Sequence, residues 1–255
     1  MKIDRTKIKK AFAEYVRKYD ETDDKIRLKI EHTYRVANLC EVIAESIPLT
    51  QNECDIAWLT GMLHDVGRFE QLRRYGTFVD SISIDHAQFG AKLLFEEGLI
   101  REFIEDASED TLLRNAVYYH SVFELPKDLD ERTKVFCDIL RDADKIDIMK
   151  VNIDYPLEEI YNVTTQELKS SQVSPEVMQS FEEEKTTFRA LKKTAVDYVA
   201  GHLSLVYGLV YPKSRQIIMD NGYLERLLHF QSDNPVTKEQ FEQIKERVYE
   251  YMNKE

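Results

Sequence analysis

Six residues stand out by type and by order. His32 lies in Ile30-Glu-His-Thr-Tyr-Arg-Val36, and His64 and Asp65 are adjacent in Leu63-His-Asp-Val-Gly67. His86 follows an aspartate in Asp85-His-Ala87, and His120 closes Tyr118-Tyr-His120. Asp144 lies in Arg141-Asp-Ala-Asp-Lys-Ile-Asp147. Imidazole nitrogens and carboxylate oxygens are ligands for divalent transition metals that keep a coordination position open for chemistry. An aspartate has two oxygens and can bridge two ions. Four imidazoles and two carboxylates can therefore hold two metals roughly 3.5–4 Å apart, the separation used in two-metal hydrolysis.

Single residues of these types are common, and most do nothing of the kind. His202 and His229 are read as ordinary surface or hydrogen-bonded histidines. Asp138, Asp142, Asp147 and the run Glu182-Glu-Glu184 are read as solvated faces. Tyr118 and Tyr119 could stack on a base, but aromatics beside a helix end usually belong to the core.

The elements that must position the six residues are helices. Phe12, Tyr15, Val16 and Tyr19 mark one face of a first helix. Ile26, Ile30, Thr33, Ala37, Cys40 and Ala44 recur at steps of three and four along a second, over about 24–46, which Pro48 stops. Thr50-Gln-Asn-Glu53 reads as a capping box that opens a third helix. Gly67 is its expected stop. His64 and Asp65 then fall at a helix end, where departing backbone angles let neighbouring side chains reach one centre. Residues 70–83 read as a loop, and 85–97 as a helix ending at Gly98. Further helices are expected at about 99–106, 109–121 and 130–149. The stretch 150–173, with Pro156 and a Ser-Ser pair, reads as a long connection. Ser174-Pro175-Glu176 reads as an N-cap, a proline at N1 and an acid in the first turn. A helical pattern then resumes to about 209 and again over about 212–231. Thr237-Lys-Glu-Gln240 reads as a capping box for the last helix. No strand alternation is evident. The expected fold is all-α: a helical core over 1–150 that holds the candidate site, and a helical extension over 151–255 packed on it. Side chains from facing helices of such a bundle can converge on its core.

Composition narrows the function. The chain has 255 residues with a formal charge of −12, 8 glycines and 6 prolines. So few turn formers argue against an all-β fold. A chain this acidic has no general attraction for nucleic acid polymers or anionic membranes. An anionic substrate would need a local counter-charge, from a metal or a few basic residues. Cys40, Cys54 and Cys137 are odd in number and far apart, which suits a reducing cytoplasm. The start, MKIDRTKIKK, has no apolar signal region. The longest stretch without acidic or basic side chains, Tyr198 to Pro212, falls short of the ~18 residues of a membrane span.

The order His32, His64-Asp65, Asp144 resembles the HD superfamily of metal-dependent phosphohydrolases. The contexts "L-H-D-V-G-R" and "R-D-A-D-K-I-D" match as well, and the resemblance covers about Lys25 to Val151. His86 and His120 match the six-ligand, binuclear subset. Gly67-Arg-Phe-Glu70, Tyr75-Gly-Thr-Phe78 and Asp85-His-Ala-Gln-Phe-Gly90 are similar to an uncharacterised bacterial branch. The resemblance implies that His32, His64, Asp65 and Asp144 bind one metal, and that Asp65 bridges to a second held by His86 and His120. It implies one or two divalent transition metals (Fe, Mn, Co, Ni or Zn). It also implies hydrolysis of a phosphate ester or anhydride, with a nucleotide as the favoured small substrate.

Metal-activated hydroxide would attack phosphorus. Arg68 and Lys145, close in sequence to ligands, are the best cations for the developing charge and join Asp65 as the expected catalytic set. Arg141 is a weaker third, and Arg73-Arg74 could meet a polyanionic substrate. Two other functions compete. The same ligands suit a mixed-valent diiron oxygenase, and the bundle could bind a nucleotide without turnover. The C-terminal helices could form a lid or the face of a homodimer.

Overall fold

In the computed structural model, residues 1–254 are described, and no strand occurs among them. The helices are α1 (Arg5–Val16), α2 (Asp24–Ala44), α3 (Gln51–Leu63), α4 (Val66–Tyr75), α5 (His86–Ala91), α6 (Ile100–Phe103), α7 (Asp110–Tyr119) and α8 (Glu131–Asp154). They continue as α9 (Leu157–Tyr161), α10 (Thr165–Ser170), α11 (Pro175–Glu182), α12 (Ala195–Leu203), α13 (Pro212–Asp220), α14 (Tyr223–Leu228) and α15 (Pro235–Met252). The all-α expectation holds. The chain forms two compact units, Met1–Asp144 and Lys145–Glu255, with the boundary inside α8. No described helix is long and apolar enough to cross a membrane.

In the first unit, Phe12, Trp58, Phe69, Phe103 and Phe136 are fully buried. Two glycines allow the close approaches that matter for the candidate site. A Cβ on Gly61 would lie 2.5 Å from the Ala37 Cα, so α3 can rest on the backbone of α2 only without a side chain there. A Cβ on Gly67 would lie 2.3 Å from the His86 carbonyl oxygen and 2.7 Å from the Gly90 nitrogen. The start of α4 therefore lies directly against the start of α5. Tyr15 of α1 donates to the Val66 carbonyl at 2.9 Å, holding the same junction from the other side.

Several local expectations are corrected. Gly67 does not end α3, which stops at Leu63; it sits in the first turn of α4, where the contact with Gly90 requires it. Residues 70–75 are helix rather than loop. Glu70 lies one turn from Arg73 and Arg74 and pairs with both at 2.6 and 2.5 Å, while Phe69, Gln71 and Leu72 turn inward. The stop is Gly76, at φ 68°. Loop follows to Asp85, apart from one 3₁₀ turn at Asp80–Ile82.

The second unit is also more helical than expected. Within 150–173, α8 runs on to Asp154 and Pro156 interrupts the helical path only briefly. A capping box of Thr164 with Glu167 opens α10. The helix from Ser174 breaks after Glu182, with Glu184 in the left-handed region at φ 52°, and resumes as α12. Ser174 is the N-cap of α11 and Pro175 is at N1, but the Ser174 hydroxyl donates to buried Asp197 at 2.6 Å instead of capping. The last helix opens three residues before Thr237. Asn234 accepts from the Val236 and Thr237 amides and Pro235 occupies N1, while Thr237 donates to the Ser171 carbonyl.

Asp138, Asp142 and Asp147 are buried, not solvated. Inaccessible residues occur all round α8, among them Phe136, Leu140, Cys137, Asn152, Met149 and Ile146, so it has no wide water-facing stripe on which to carry them. Asp138 pairs with Lys134 one turn away.

Candidate metal centre

Each of the six residues owes its position to a local feature of the backbone. His64 is the C-cap of α3 and His120 the C-cap of α7. The last carbonyls of a helix lack intrahelical partners. In both cases the imidazole supplies one: His64 Nδ1 donates to the Gly61 carbonyl and His120 Nδ1 to the Val117 carbonyl, each at 2.7 Å. A carbonyl only accepts, so both Nδ1 atoms carry the hydrogen, and each ring in its neutral form presents an Nε2 lone pair. Asp65 is the break between α3 and α4, at φ −104° and ψ 15°. This sparsely populated region turns its carboxylate away from the path of the helix. His86 begins α5 behind the N-cap Asp85, and His32 and Asp144 project from α2 and α8.

These side chains converge into two overlapping groups. His32, His64 and Asp65 form one, and Asp65, His86 and His120 the other; in each, one donor atom per residue lies within 4.8 Å of the others. In the first, His32 Nε2 is 3.2 Å from His64 Nε2 and 3.4 Å from Asp65 Oδ2. Asp144 Oδ1 joins it, 3.2 Å from His32 Nε2 and 3.9 Å from His64 Nε2. In the second, His86 Nε2 is 3.0 Å from His120 Nε2, and Asp65 Oδ1 lies 3.5 and 3.8 Å from them. Asp65 thus turns one oxygen to each group. All four imidazoles and Asp65 are buried.

The chemistry of the second group fits a cation. His86 Nδ1 donates to Asp80 Oδ2 at 2.7 Å, so its Nε2 is also a lone pair. Three acceptors, His86 Nε2, His120 Nε2 and Asp65 Oδ1, then face one another. Removed from water, they repel unless a positive charge lies among them. Protonation does not easily provide it. Burial, with the neighbouring His86 and His64, pushes the His120 imidazole down to about 3. Burial, with Arg68 nearby, also lowers His86 despite its bond to Asp80. The carboxylates are held ionised. Burial alone would raise the Asp65 carboxyl, but the Lys29 ammonium brings it well below the usual range. Burial likewise opposes ionisation of Asp144, and the hydrogen bond with His32 overcomes it.

Around this centre lie residues that spacing alone had not marked. Lys29, one helical turn before His32 on α2, places its Nζ 2.6 Å from Asp65 Oδ2. The three-residue interval to His32 was a usable signal. Asp80, which orients His86, sits in an aperiodic loop and left no signal. It accepts from Arg68 Nη1 at 2.8 Å and from Gln71 Nε2 at 2.9 Å. Arg68 also donates to Gln71 Oε1 and the Phe78 carbonyl, pinning the loop to α4. Its buried Nε has no hydrogen-bond partner and lies 3.7 Å from Asp65 Oδ1.

The remaining candidates are placed as follows. Lys145 Nζ donates to the Gly208 carbonyl at 2.5 Å. Arg73 and Arg74 are drawn to Glu70. Tyr118 and Tyr119 pack edge to face at 4.9 Å. His202 meets Tyr161 and Asn152, and His229 is exposed beside Glu225.

No curated protein and no solved structure matches the chain. The HD domain family does, over residues 30–149, a span that contains every one of the six converging side chains. With this match and the paired His/Asp groups in hand, residues 30–149 are an HD domain, the domain that defines a superfamily of metal-dependent phosphohydrolases.

Proposed function

We propose that the protein hydrolyses a phosphate ester or phosphoanhydride of a small phosphorylated substrate, with nucleotides the favoured class, at a binuclear centre. His32, His64, Asp65 and Asp144 would hold one ion. Asp65, His86 and His120 would hold the other. The observation that carries this reading is the convergence of His86 Nε2, His120 Nε2 and Asp65 Oδ1 with every Nδ1–H of that pair committed elsewhere. Divalent ions held there would supply hydroxide at neutral pH and offset phosphoryl charge.

The protein's own part is binding and orientation. Arg68 Nε is a preorganised donor with no protein acceptor, desolvated at the edge of the centre, and a phosphoryl oxygen would satisfy it. Lys29 places a second positive charge on the opposite oxygen of Asp65. Together they supply the local counter-charge that a chain of net charge −12 needs for an anionic substrate.

The test is a hydrolysis screen of mononucleotides, dinucleoside polyphosphates and generic phosphate esters with Mn²⁺, Fe²⁺, Co²⁺ and Ni²⁺. Metal-dependent release of phosphate or of a nucleoside monophosphate is expected, and it should vanish in Asp65→Ala. A metal-loaded protein inert to the whole panel, but consuming oxygen with iron bound, would replace this reading with the oxygenase one.

A further inference from the structure

Arg141 lies in the middle of α8, one turn before Asp144, and its guanidinium is spent on a single short segment. Nη1 donates to the carbonyls of Tyr119 at 3.1 Å, His120 at 3.3 Å and Val122 at 2.5 Å. Nη2 donates to the carbonyl of Phe123 at 3.1 Å. These carbonyls end α7 and begin the turn that follows it, so they have no helical partners of their own. A cation is also favoured there by the helix dipole. The planar fork of an arginine spreads five donors over several such oxygens at once, where a lysine offers three from a single nitrogen. Burial lowers the Arg141 pKa, yet it remains the charge on which this turn closes.

The turn carries His120. Its Nδ1–H bond to Val117 sets the direction of the ring, but the backbone beyond Tyr119 is what Arg141 fastens. The same helix, one turn on, carries Asp144, which faces His32 in the first group. We infer that Arg141 is a positioning residue that fastens the His120 turn to α8, and so holds His120 in place for the second metal half-site. This inference rests on the binuclear reading above.

The experiment is a Mn²⁺ titration of the full chain by equilibrium dialysis, on wild type, Arg141→Lys, Arg141→Ala, His120→Ala and the double variant His120→Ala/Arg141→Ala. In wild type two ions should bind. In Arg141→Ala the second should weaken at least about tenfold, as when a partner that orients a ligand is lost. Arg141→Lys keeps the charge with fewer donors and should fall between the two. In the His120→Ala background, removing Arg141 should change the affinity of the remaining ion by less than about twofold, since the turn then has no ligand to position. A purely structural role would weaken both half-sites, and would do so in that background too. Two tight ions in both Arg141 variants would overturn the inference, as would an equal loss at both half-sites. One ion or none in wild type would instead fail the binuclear reading, and the inference would fall with it. Should Arg141→Ala not fold, Arg141→Lys in both backgrounds decides the matter.

Discussion

His86 and His120 meet Nε2 to Nε2 at 3.0 Å, each with its Nδ1 hydrogen already given away, one to Asp80 and one to the Val117 carbonyl. Two neutral imidazoles cannot hydrogen-bond through a pair of lone pairs. Their closeness is stabilised only by something electrophilic between them. Either His86→Ala or His120→Ala should therefore reduce bound Mn²⁺ from two ions to one per chain, measured by dialysis. Activity should fall by two orders of magnitude or more if both ions serve the reaction. Unchanged stoichiometry in both variants would show that this pair holds no metal.

Asp80 is one bond further out. It orients His86 and is itself oriented by Arg68 and Gln71. Asp80→Asn keeps the shape but offers a neutral acceptor, and loss of such an outer partner typically costs about 10–100-fold in metal affinity. The second ion should show that loss in a competition assay with a fluorescent chelator, while the first is nearly unaffected.

Lys29 should behave differently. It sits on Asp65 Oδ2 and supplies charge without being a ligand. Lys29→Met should retain metal yet lower kcat by roughly 100-fold, the scale expected when one preorganised cationic donor is lost. Steady-state kinetics on the metal-loaded variant checks this. Loss of metal in parallel with activity would make Lys29 a support for Asp65 instead.

Gly67→Ala tests how the elements are held together. The added Cβ would meet the His86 carbonyl at 2.3 Å and the backbone of Gly90, neither of which is the free end of a flexible side chain. Overpacking of this kind costs about 1–3 kcal/mol. Urea denaturation should show that loss. Because the clash pushes α4 from α5, the second ion should weaken as well.

His202 gives a pH dependence outside the candidate centre. Burial, with Lys192 and Arg189 nearby, pushes its imidazole down to about 3, against 6.5 for an ordinary histidine. Between those values the unfolded chain binds the proton and the folded chain does not. Stability is therefore lost as pH falls through 6.5 and continues to fall until about 3, with a slope of at most about 1.4 kcal/mol per pH unit. His202→Asn should flatten the acid limb of a stability–pH curve measured by urea denaturation. An unchanged slope would mean that His202 does not contribute to it.

What could be read from the sequence differs by element. The apolar steps along α2 and the capping box at Thr50 follow from local rules, and the structure keeps them. The four histidines and two aspartates were recognisable by type and order, because ligand chemistry restricts which residues can serve. The misread parts were those decided by tertiary contact. Gly67 has the local signature of a helix stop, but its use is to let α5 approach. The helix from Val66 to Tyr75 hides behind charges, because Glu70, Arg73 and Arg74 pair along it. Asp142 and Asp147 look like surface acids until nearly every side of α8 is found buried. Asp80 acquires meaning only when its loop folds back on Arg68 and Gln71.

Metal content is the most direct measure of the claim that these six side chains cage cations. The protein should be stripped with chelator, loaded with Mn²⁺, freed of excess ion and analysed for metal per chain, beside Asp65→Ala treated identically. Two ions in the wild type and none held tightly in the variant is the expected result. A wild type that emerges with no more metal than the variant would contradict it.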